Sequence, residues 1–314
     1  MFNKEKILTR SRASIKVGGL GDFSLTDTFE CGQAFRYEKI CQEDGYVEYM
    51  TVVKDNIITI GQYTPGELIF YTDDDELFEK IIVPYFTLDT DYRAIKEDII
   101  SRTESDWLKR AADSAKGIAI LKQDPWETLF SFIVSQNNNI PRIRKIIKKI
   151  SLEYGENLAV KNRYTACPLK KYEGAPCEEK CRECGCCYSF PNAKSVYSEP
   201  EKLLSSSPGF RYRYLVCAAT MVHLGEINLE AIDAFGSYEK TVEELKRITG
   251  VGDKVASCVA LFGFANLEAF PIDVWMKRAI DEYFDGSLDH KALGKYAGIA
   301  QQYIFHYIRN LSSN

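Results

Sequence analysis

A lysine and an aspartate stand in two nearby segments where their side chains could act on a sugar. Lys254 follows a glycine-rich turn, and Asp273 lies two residues after Pro271. A lysine amine attacks carbon only after it has lost the proton that it holds in water at pH 7. Attack at an anomeric carbon would form a Schiff base and permit β-elimination. We therefore predict that Lys254 is a nucleophile and that Asp273 stabilises the positive charge that develops on the sugar.

The turn before Lys254 is suited to holding a phosphate. One helix is predicted to end near Ile248 and another to start at Asp253, with Gly250 and Gly252 in the turn between them. Glycine has no Cβ, so another backbone can come close, and the free N–H groups at a helix N-terminus bind phosphate oxygens. A Gly-Val-Gly turn alone is weak evidence. The alternative is a solvated helix lysine at position 254 and an aspartate that only caps the next helix.

Two kinds of structure are predicted to position these residues. Residues 1–115 are β-rich at first, because alternating segments flank Lys54-Asp55, a hairpin signature. Residues 116–314 have apolar residues at helical spacing, beginning with Asp124-Pro125, a typical helix start. The last helix is predicted from about Lys291 to Asn310. The predicted fold class is α+β, with an N-terminal antiparallel sheet domain and an all-helical domain that is interrupted by a cysteine-rich insertion at 163–190.

From composition and patterning we expect the chain to be neither disordered nor a collagen, a membrane channel or a secreted precursor. The chain has 314 residues, 45% of them hydrophobic and 27% charged, which is ordinary globular usage. The longest apolar run, Val255 to Ala265, is shorter than the roughly 18 residues of a membrane span. The start shows no apolar stretch of signal-peptide length. We therefore expect a reducing compartment and no membrane partner. We also expect the protein to be a monomer.

The net charge of −5 argues mildly against a nucleic-acid partner. Asn137 to Ile150, however, carries five basic residues and no acid. Contact with phosphates needs only a local basic face. We predict that this segment provides one.

The hairpin, Lys254 and Asp273 together resemble the helix-hairpin-helix DNA glycosylase superfamily, with its Gly/Pro-rich loop and terminal Asp. In that superfamily, a lysine at this hairpin position implies a bifunctional glycosylase and lyase. Further segments narrow the resemblance to the 8-oxoguanine DNA glycosylases, over nearly the whole chain outside the insertion. The resemblance implies a TATA-binding-protein-like N-terminal sheet and a lesion pocket between the two domains.

Four residues are assigned to the lesion base by this resemblance. The segment from Cys31 to Arg36, Cys-Gly-Gln-Ala-Phe-Arg, is similar to the family's Gly-Gln-x-Phe-Arg motif. The Gly32 carbonyl would accept the N7–H that 8-oxoguanine has and guanine lacks, whereas guanine would set acceptor against acceptor. In the last helix, Gln301 would bind the Watson–Crick edge and Phe305 would stack on the base. Cys258 would cover its opposite face.

The DNA-reading residues follow from two more segments. The triple-Asn loop before Arg142 resembles the family's loop, in which Asn137 would fill the gap left by the extruded base and Arg142 would read the orphaned cytosine. In Gly-Phe-Arg-Tyr-Arg-Tyr, Phe210 would wedge into the stack and Arg211 would be a second reader. Two positions depart from the eukaryotic enzymes. Phe210 replaces a tyrosine, and Trp275 replaces a histidine that contacts phosphate.

Six of the ten cysteines crowd into residues 167–187. Structural disulfides are rare in a reducing compartment, so clustered thiols favour a tetrahedral metal site, with Zn²⁺ the preferred ion. The predicted ligands are Cys177, Cys181, Cys184 and either Cys186 or Cys187. Of the last two, Cys187 is the preferred fourth ligand. The alternative is a metal-free insertion. Catalysis through Lys254 requires no cofactor.

The predicted activity is to flip 8-oxoguanine out of duplex DNA, to cleave its glycosidic bond and to nick the abasic site by β-elimination. Such a protein would lie with the chromosome, in the cytoplasm of a bacterium or archaeon or in a eukaryotic nucleus. Two other functions stay open at this point. One is a glycosylase of the same fold for another base, such as an alkylated purine. The other is a non-catalytic DNA-binding protein that uses the hairpin and a zinc module.

Overall fold

The structure is a computed structural model, and it describes residues 8–10, 14–158 and 185–311. Its N-terminal part contains a six-stranded antiparallel sheet with strand order β1-β2-β6-β5-β4-β3. The strands are β1 Leu8–Arg10, β2 Ile15–Val17, β3 Tyr37–Glu43, β4 Tyr46–Val53, β5 Asn56–Gln62 and β6 Leu68–Phe70.

The predicted hairpin at Lys54-Asp55 is confirmed. Val53 pairs with Asn56, and the two turn residues have φ angles of 45° and 62°. Positive φ at both central positions defines a turn whose twist matches that of the flanking strands. The Asn56 side chain donates a hydrogen bond to the Lys54 carbonyl at 2.7 Å, which stabilises the turn.

The other regular elements of the described chain are helices, joined by turns and loops. They are α1 Leu25–Glu30, α2 Asp75–Leu77, α3 Val83–Tyr85, α4 Tyr92–Ser101, α5 Asp106–Ser114, α6 Pro125–Ser135, α7 Ile140–Tyr154, α8 Ala193–Ser198, α9 Tyr212–His223, α10 Leu229–Asp233, α11 Tyr238–Leu245, α12 Asp253–Gly263, α13 Val274–Tyr283 and α14 Ala297–Leu311. A π-helical turn, Phe78–Ile82, joins α2 to α3. Short 3-10 helices cover Pro200–Ser206, Gly209–Arg211 and His290–Tyr296.

The start of α6 is as predicted. Asp124 is the N-cap and accepts a hydrogen bond from the Glu127 N–H at 2.9 Å, and Pro125 is the first helical residue. In the final helix, by contrast, the prediction is wrong at its start. Gly294 has φ 71° and ψ −155°, which breaks the helix, so α14 begins only at Ala297.

The two larger hydrophobic cores of the described residues belong to the two kinds of structure. One is formed by the sheet, α1 and the 78–88 segment, with Phe29, Tyr49 and Phe70 at its centre. The other is helical and includes the buried faces of α6, α12 and α14. Helices α4 and α5 belong to this helical core although they precede residue 115, because the apolar faces of both helices pack on α14. The domain division at 115 remains a prediction.

None of the described helices combines the length and the apolar composition that crossing a membrane requires.

Candidate active site

A cleft of about 720 Å³ opens where the loop after α6, the start of α12, the start of α13 and the end of α14 meet. Residues far apart in the sequence line it together. Seven of the predicted site residues are among them: Gly32, Asn137, Gly252, Lys254, Asp273, Trp275 and Phe305. The α6–α7 loop and the starts of α12 and α13 therefore bring Asn137 and the two predicted catalytic residues to one place.

A smaller cavity of about 50 Å³ lies beside the cleft. It shares Gly32, Lys254, Asp273 and Phe305 with the cleft and adds Cys258 and Gln301. The two predicted catalytic residues and the four predicted base-binding residues therefore line one cavity. A cavity of this volume holds only one or two waters, whose share of liquid volume is about 30 Å³ each. It must widen before a purine can enter.

Lys254 is the second residue of α12, two positions after the N-cap Gly252. Its Nζ donates to the Ser135 Oγ at 3.4 Å and lies 5.1 Å from the centroid of the Phe132 ring. Among the described residues, no carboxylate oxygen lies within 4.0 Å of Nζ. The amine therefore contacts a hydroxyl and an aromatic face, and no ion pair has to break before it reacts.

Asp273 is the N-cap of α13. Its Oδ1 accepts hydrogen bonds from the N–H groups of Trp275 and Met276, at 3.0 and 2.9 Å. Pro271, two residues earlier, is buried, and Asp273 itself has an extended backbone. The cap fixes the carboxylate in the cleft, so the capping role and the predicted catalytic role are compatible. Trp275 is half-buried and lines the same cleft.

Cys258 lies one turn after Lys254, on the same face of α12. Burial raises the pKa of the Cys258 thiol to about 11, and the positive charge of Lys254 opposes this shift. The side chain is 4% exposed. It therefore stays a neutral thiol near neutral pH and presents a soft, polarizable surface to the cavity.

The backbone at Gly32 requires a glycine. Its φ is 86°, and a Cβ here would lie 3.2 Å from the Ile140 Cδ1 and 3.7 Å from the Phe305 Cε1. Both neighbours line the cleft. Any side chain at this position would therefore strain the backbone and narrow the path to the small cavity.

Gln33, which the sequence interpretation did not single out, holds the Gly32 backbone in place. Its side chain is fully buried and makes three hydrogen bonds of 2.8 Å to the backbone, donating to Thr28 and Ala119 and accepting from Leu121. The signal was present in the Gly-Gln-x-Phe-Arg motif, whose glutamine had no assigned role. Its Nε2 also donates to the Cys31 Sγ at 3.3 Å, next to Gly32, so this buried glutamine is a positioning residue.

The predicted DNA-reading arginines occupy different environments. Arg211 is 3% exposed, and its guanidinium donates to the Asn137 carbonyl at 2.8 Å and twice to the Gln136 carbonyl. Burial lowers the pKa of this guanidinium. Arg142, at the start of α7, is exposed and has no ion pair among the described residues. As the protein stands, Arg142 is available to a base, whereas Arg211 anchors the triple-Asn loop.

The loop residues fit the prediction of a polar projection. Asn137 has φ 47°, a left-handed conformation that asparagine tolerates, and it lines the cleft. Asn139 caps α7 by accepting from the Arg142 N–H at 3.0 Å. On the neighbouring 3-10 turn, Phe210 is 50% exposed, with the Arg211 guanidinium carbon 4.5 Å from its ring centroid. An exposed aromatic ring next to this loop is suited to wedging between bases.

The prediction that residues 137–150 form one basic face is wrong in part. Arg144 and Lys148 both pair with Glu38, at 3.3 and 2.5 Å, and the Arg144 guanidinium carbon lies 4.2 Å from the centroid of the Tyr37 ring. These two cations join α7 to the sheet. The sequence could not show this, because Glu38 lies about a hundred residues earlier in the chain.

The two hairpin glycines differ in what surrounds them. Gly250 has φ 90°, and a Cβ there would overlap the ring of Tyr214, which packs on the hairpin. Gly252 has open space around its Cα, with no atom within 4 Å of a Cβ placed there. The Gly252 side of the hairpin, at the N-terminus of α12, is therefore the one that a phosphate can approach.

Of the predicted zinc ligands, Cys177, Cys181 and Cys184 lie outside the described residues. Cys187 is fully buried against the outer face of the sheet, in a cluster with Met50, Val52, Ile57 and Leu158. Cys186 is half-buried beside it. In the part of the chain that the structure describes, no group of three or more potential metal ligands is found.

A helix-hairpin-helix with a lysine at its second helix and a capping aspartate in the same cleft defines the helix-hairpin-helix class of DNA glycosylases. Comparison with known proteins agrees with this class. Residues 19–129 match the family described as 8-oxoguanine DNA glycosylase, N-terminal domain. The 8-oxoguanine glycosylase/lyase of Clostridium acetobutylicum, solved with DNA that has cytosine opposite 8-oxoguanine, superposes with a TM-score of 0.81 and 31% identity over 98% of both chains.

Two further relatives are more distant in sequence. The N-glycosylase/DNA lyase of Saccharomyces cerevisiae is 26% identical over 82% of this chain and 67% of its own. The 3-methyladenine DNA glycosylase of Archaeoglobus fulgidus shares the fold, with a TM-score of 0.60, 18% identity and coverage of 86% of this chain and 89% of its own. The chain belongs to the 8-oxoguanine DNA glycosylase/lyase family. This confirms the resemblance and the α+β fold class.

Proposed function

We propose that the protein removes 8-oxoguanine from duplex DNA and then nicks the abasic site. The observation that carries this proposal is that Lys254 and Asp273 line the same small cavity as Gly32, Gln301 and Phe305. A nucleophile, a carboxylate and three groups suited to contacting a base therefore line one cavity, which must widen to admit the base. The partner is duplex DNA that contains the lesion. An enzyme with this substrate lies with the chromosome.

In the first step, the lone pair of the Lys254 Nζ attacks C1′ of the flipped nucleotide. The N9–C1′ bond breaks, its electron pair leaves with the base, and the base takes up a proton. The proton that the base takes up comes from the attacking nitrogen. The C1′–O4′ bond then opens, O4′ takes up a proton from solvent, and C1′ is left as a protonated Schiff base with Lys254. Loss of a proton from C2′ breaks the C3′–O3′ bond and expels the 3′ phosphate by β-elimination. Only side chains of this chain take part, so we propose no cofactor for catalysis.

Asp273 supports both steps electrostatically. The two hydrogen bonds that its Oδ1 accepts from the α13 backbone hold the carboxylate in place without neutralising it. Positive charge develops on the sugar as the glycosidic bond breaks, and a fixed carboxylate stabilises that charge without reorganising. The Ser135 hydroxyl, 3.4 Å from the Lys254 Nζ, holds the amine toward the cavity.

Borohydride trapping on an 8-oxoguanine duplex tests the lysine mechanism. Wild-type protein should give a covalent DNA adduct, and Lys254→Gln should give none. Lys246→Gln is the matched control, because Lys246 pairs with Asp253 at 2.5 Å on the same hairpin and does not line the cleft. An adduct that persists in Lys254→Gln, or no adduct in the wild type, would contradict the mechanism.

Substrate profiling separates this function from excision of an alkylated purine. Duplexes that carry guanine, 8-oxoguanine or 3-methyladenine at one position should show release of 8-oxoguanine alone. Preferred release of 3-methyladenine would refute the assignment of the lesion while leaving the lysine mechanism intact. The non-catalytic alternative predicts binding without strand scission and indifference to Lys254→Gln.

We also propose a structural zinc ion in the cysteine-rich segment, held by Cys177, Cys181, Cys184 and either Cys186 or Cys187. A thiolate in apolar surroundings is unfavourable unless a metal binds it. The two candidates for the fourth ligand differ in burial, because Cys187 is buried among apolar side chains whereas Cys186 is half-buried. Purified protein should contain about one zinc ion per chain. Comparing the zinc content of Cys186→Ser and Cys187→Ser identifies the fourth ligand, and a metal-free wild type would refute the site.

A further inference from the structure

Two adjacent glutamines of α14 lie in the small cavity, and only the first was assigned a role. Gln301 and Gln302 are 3% and 4% exposed, and both line the cavity beside Lys254 and Cys258. The Gln302 Nε2 donates to the Gln301 Oε1 at 2.7 Å. Consecutive residues of a helix do not normally face each other. Here both side chains turn toward the same space and form an amide pair.

The Gln302 Oε1 is buried and has no hydrogen-bond partner among the described residues. Buried acceptors are nearly always satisfied in native proteins, and an exception calls for an explanation. The cavity that Gln302 lines is large enough for a water, which can occupy it while no base is bound. A ligand that displaces this water must bring a donor of its own, because otherwise the buried oxygen stays unpaired.

The amide pair matches the hydrogen-bonding pattern of a guanine-type edge. The Watson–Crick edge of 8-oxoguanine presents an acceptor, O6, beside donors at N1 and the 2-amino group. The Gln301 Oε1 is the atom bonded to Gln302, and the Gln301 Nε2 donates no hydrogen bond within the described part of the chain, so its donors are available. Together, the pair offers one donor and one acceptor. An adenine-type edge, with an amino group at C6 and an acceptor at N1, presents the opposite order.

We propose that Gln302 is a second reader of the lesion's Watson–Crick edge. Its Oε1 accepts the N1–H of 8-oxoguanine, and its Nε2 orients the Gln301 amide so that the Gln301 Nε2 donates to O6. This inference rests on the proposed function and adds a specificity-determining residue to it. It assigns to the pair, rather than to Gln301 alone, the selection of an oxidised guanine over an oxidised adenine.

The test uses Gln302→Met, which keeps the length of the side chain and removes both amide groups. Single-turnover excision is measured on duplexes with 8-oxoguanine or 8-oxoadenine opposite cytosine, and strand nicking is measured on a preformed abasic site. Excision of 8-oxoguanine should fall about tenfold or more, since a buried partner is lost. Discrimination against 8-oxoadenine should fall as well. Nicking of the abasic site needs Lys254 but no base, so it should change less than about twofold.

Tyr303→Phe is the matched control. Tyr303 is the next residue of α14 and is fully buried, and its hydroxyl has no hydrogen-bond partner among the residues that the structure describes, but it does not line the cavity. Its removal should leave excision and discrimination unchanged. Gln302→Leu, which is smaller and apolar, gives a second variant should the first be poorly folded.

Two outcomes overturn the inference. Unchanged excision and discrimination in the Gln302 variants would show that the side chain does not read the base. An equal loss of excision and of abasic-site nicking would show that Gln302 only supports the fold of the site. If wild-type protein nicks abasic sites but releases no 8-oxoguanine, the proposed function fails instead, and that result is seen before any variant is made.

Discussion

Gln33→Met is expected to lower both stability and excision, because Gln33 connects the Gly32 turn to the rest of the protein. The substitution removes three hydrogen bonds of 2.8 Å and leaves the Thr28 and Ala119 carbonyls and the Leu121 N–H without that partner. At about 1 kcal/mol for each lost bond, the free energy of unfolding should fall by about 3 kcal/mol. Urea denaturation measures this loss.

The effect on activity needs a control that loses the same stability elsewhere. Gln62 provides it, because this buried glutamine also makes three hydrogen bonds to the backbone, accepting from Leu25 and donating to Phe23 and Glu67. It lines neither the cleft nor the small cavity. Gln62→Met should destabilise the protein by a similar amount and leave excision unchanged at a temperature where both variants are folded.

Gln33→Met, in contrast, should reduce the preference for 8-oxoguanine over guanine, since the Gly32 carbonyl loses its fixed orientation. The assay is single-turnover excision of both bases, normalised to nicking of a preformed abasic site. If the two variants lose excision in equal measure, the effect is one of stability. The positioning role of Gln33 would then be refuted.

The remaining predictions concern DNA contact and pH. Arg142→Gln should weaken discrimination for cytosine opposite the lesion by about 1–3 kcal/mol, the worth of a bidentate arginine–base contact, in a competition assay with the four opposite bases. Arg211→Gln should instead lower the melting temperature, because it releases the loop carbonyls of Gln136 and Asn137. Burial lowers the pKa of His306, with Asp27 opposing the shift. As the pH falls below about 6.5, the unfolded chain therefore takes up the His306 proton before the folded protein does, which lowers the free energy of unfolding. Urea titrations at two pH values should show a larger acid destabilisation for wild-type protein than for His306→Gln.

The catalytic pair was accessible from the sequence because both residues belong to local signals. Lys254 follows a glycine hairpin at the N-terminus of a helix, and Asp273 caps the next helix, so each is placed by backbone chemistry within a few residues. The Lys54-Asp55 hairpin was predictable for the same reason. Gly32, Gln301 and Phe305 became visible only through the family resemblance, since nothing local distinguishes them from a turn glycine or core residues.

What the sequence could not show depends on contacts between distant segments. The basic residues of α7 looked like one DNA-binding face, but Glu38 on the sheet engages Arg144 and Lys148. The roles of Gln33 and Gln302 depend on which backbone or side-chain groups surround them after folding. Hydrophobic periodicity cannot tell whether a buried glutamine belongs to a core or to a site. The hydrogen-bond partners of Gln33 lie in other elements, and that of Gln302 is the neighbouring side chain.

The charge of the cleft, rather than that of the chain, explains how a protein of net charge −5 meets DNA. Among the described residues, the charged side chains that line the cleft are three cations, Lys254, Lys277 and Arg309, and one carboxylate, Asp273. Lys277 is exposed at the start of α13, near the half-buried Trp275, so it can supply the phosphate contact that the eukaryotic histidine makes. Each phosphate contact contributes about 0.9 to the slope of log affinity against log salt. Lys277→Gln should therefore reduce that slope by about 0.9. Arg278→Gln, one residue further and paired with Glu282 outside the cleft, should not change it. Equal slopes for Lys277→Gln and wild type would show that Lys277 contacts no phosphate. The positive charge of the cleft would then act on the sugar and not on the DNA backbone.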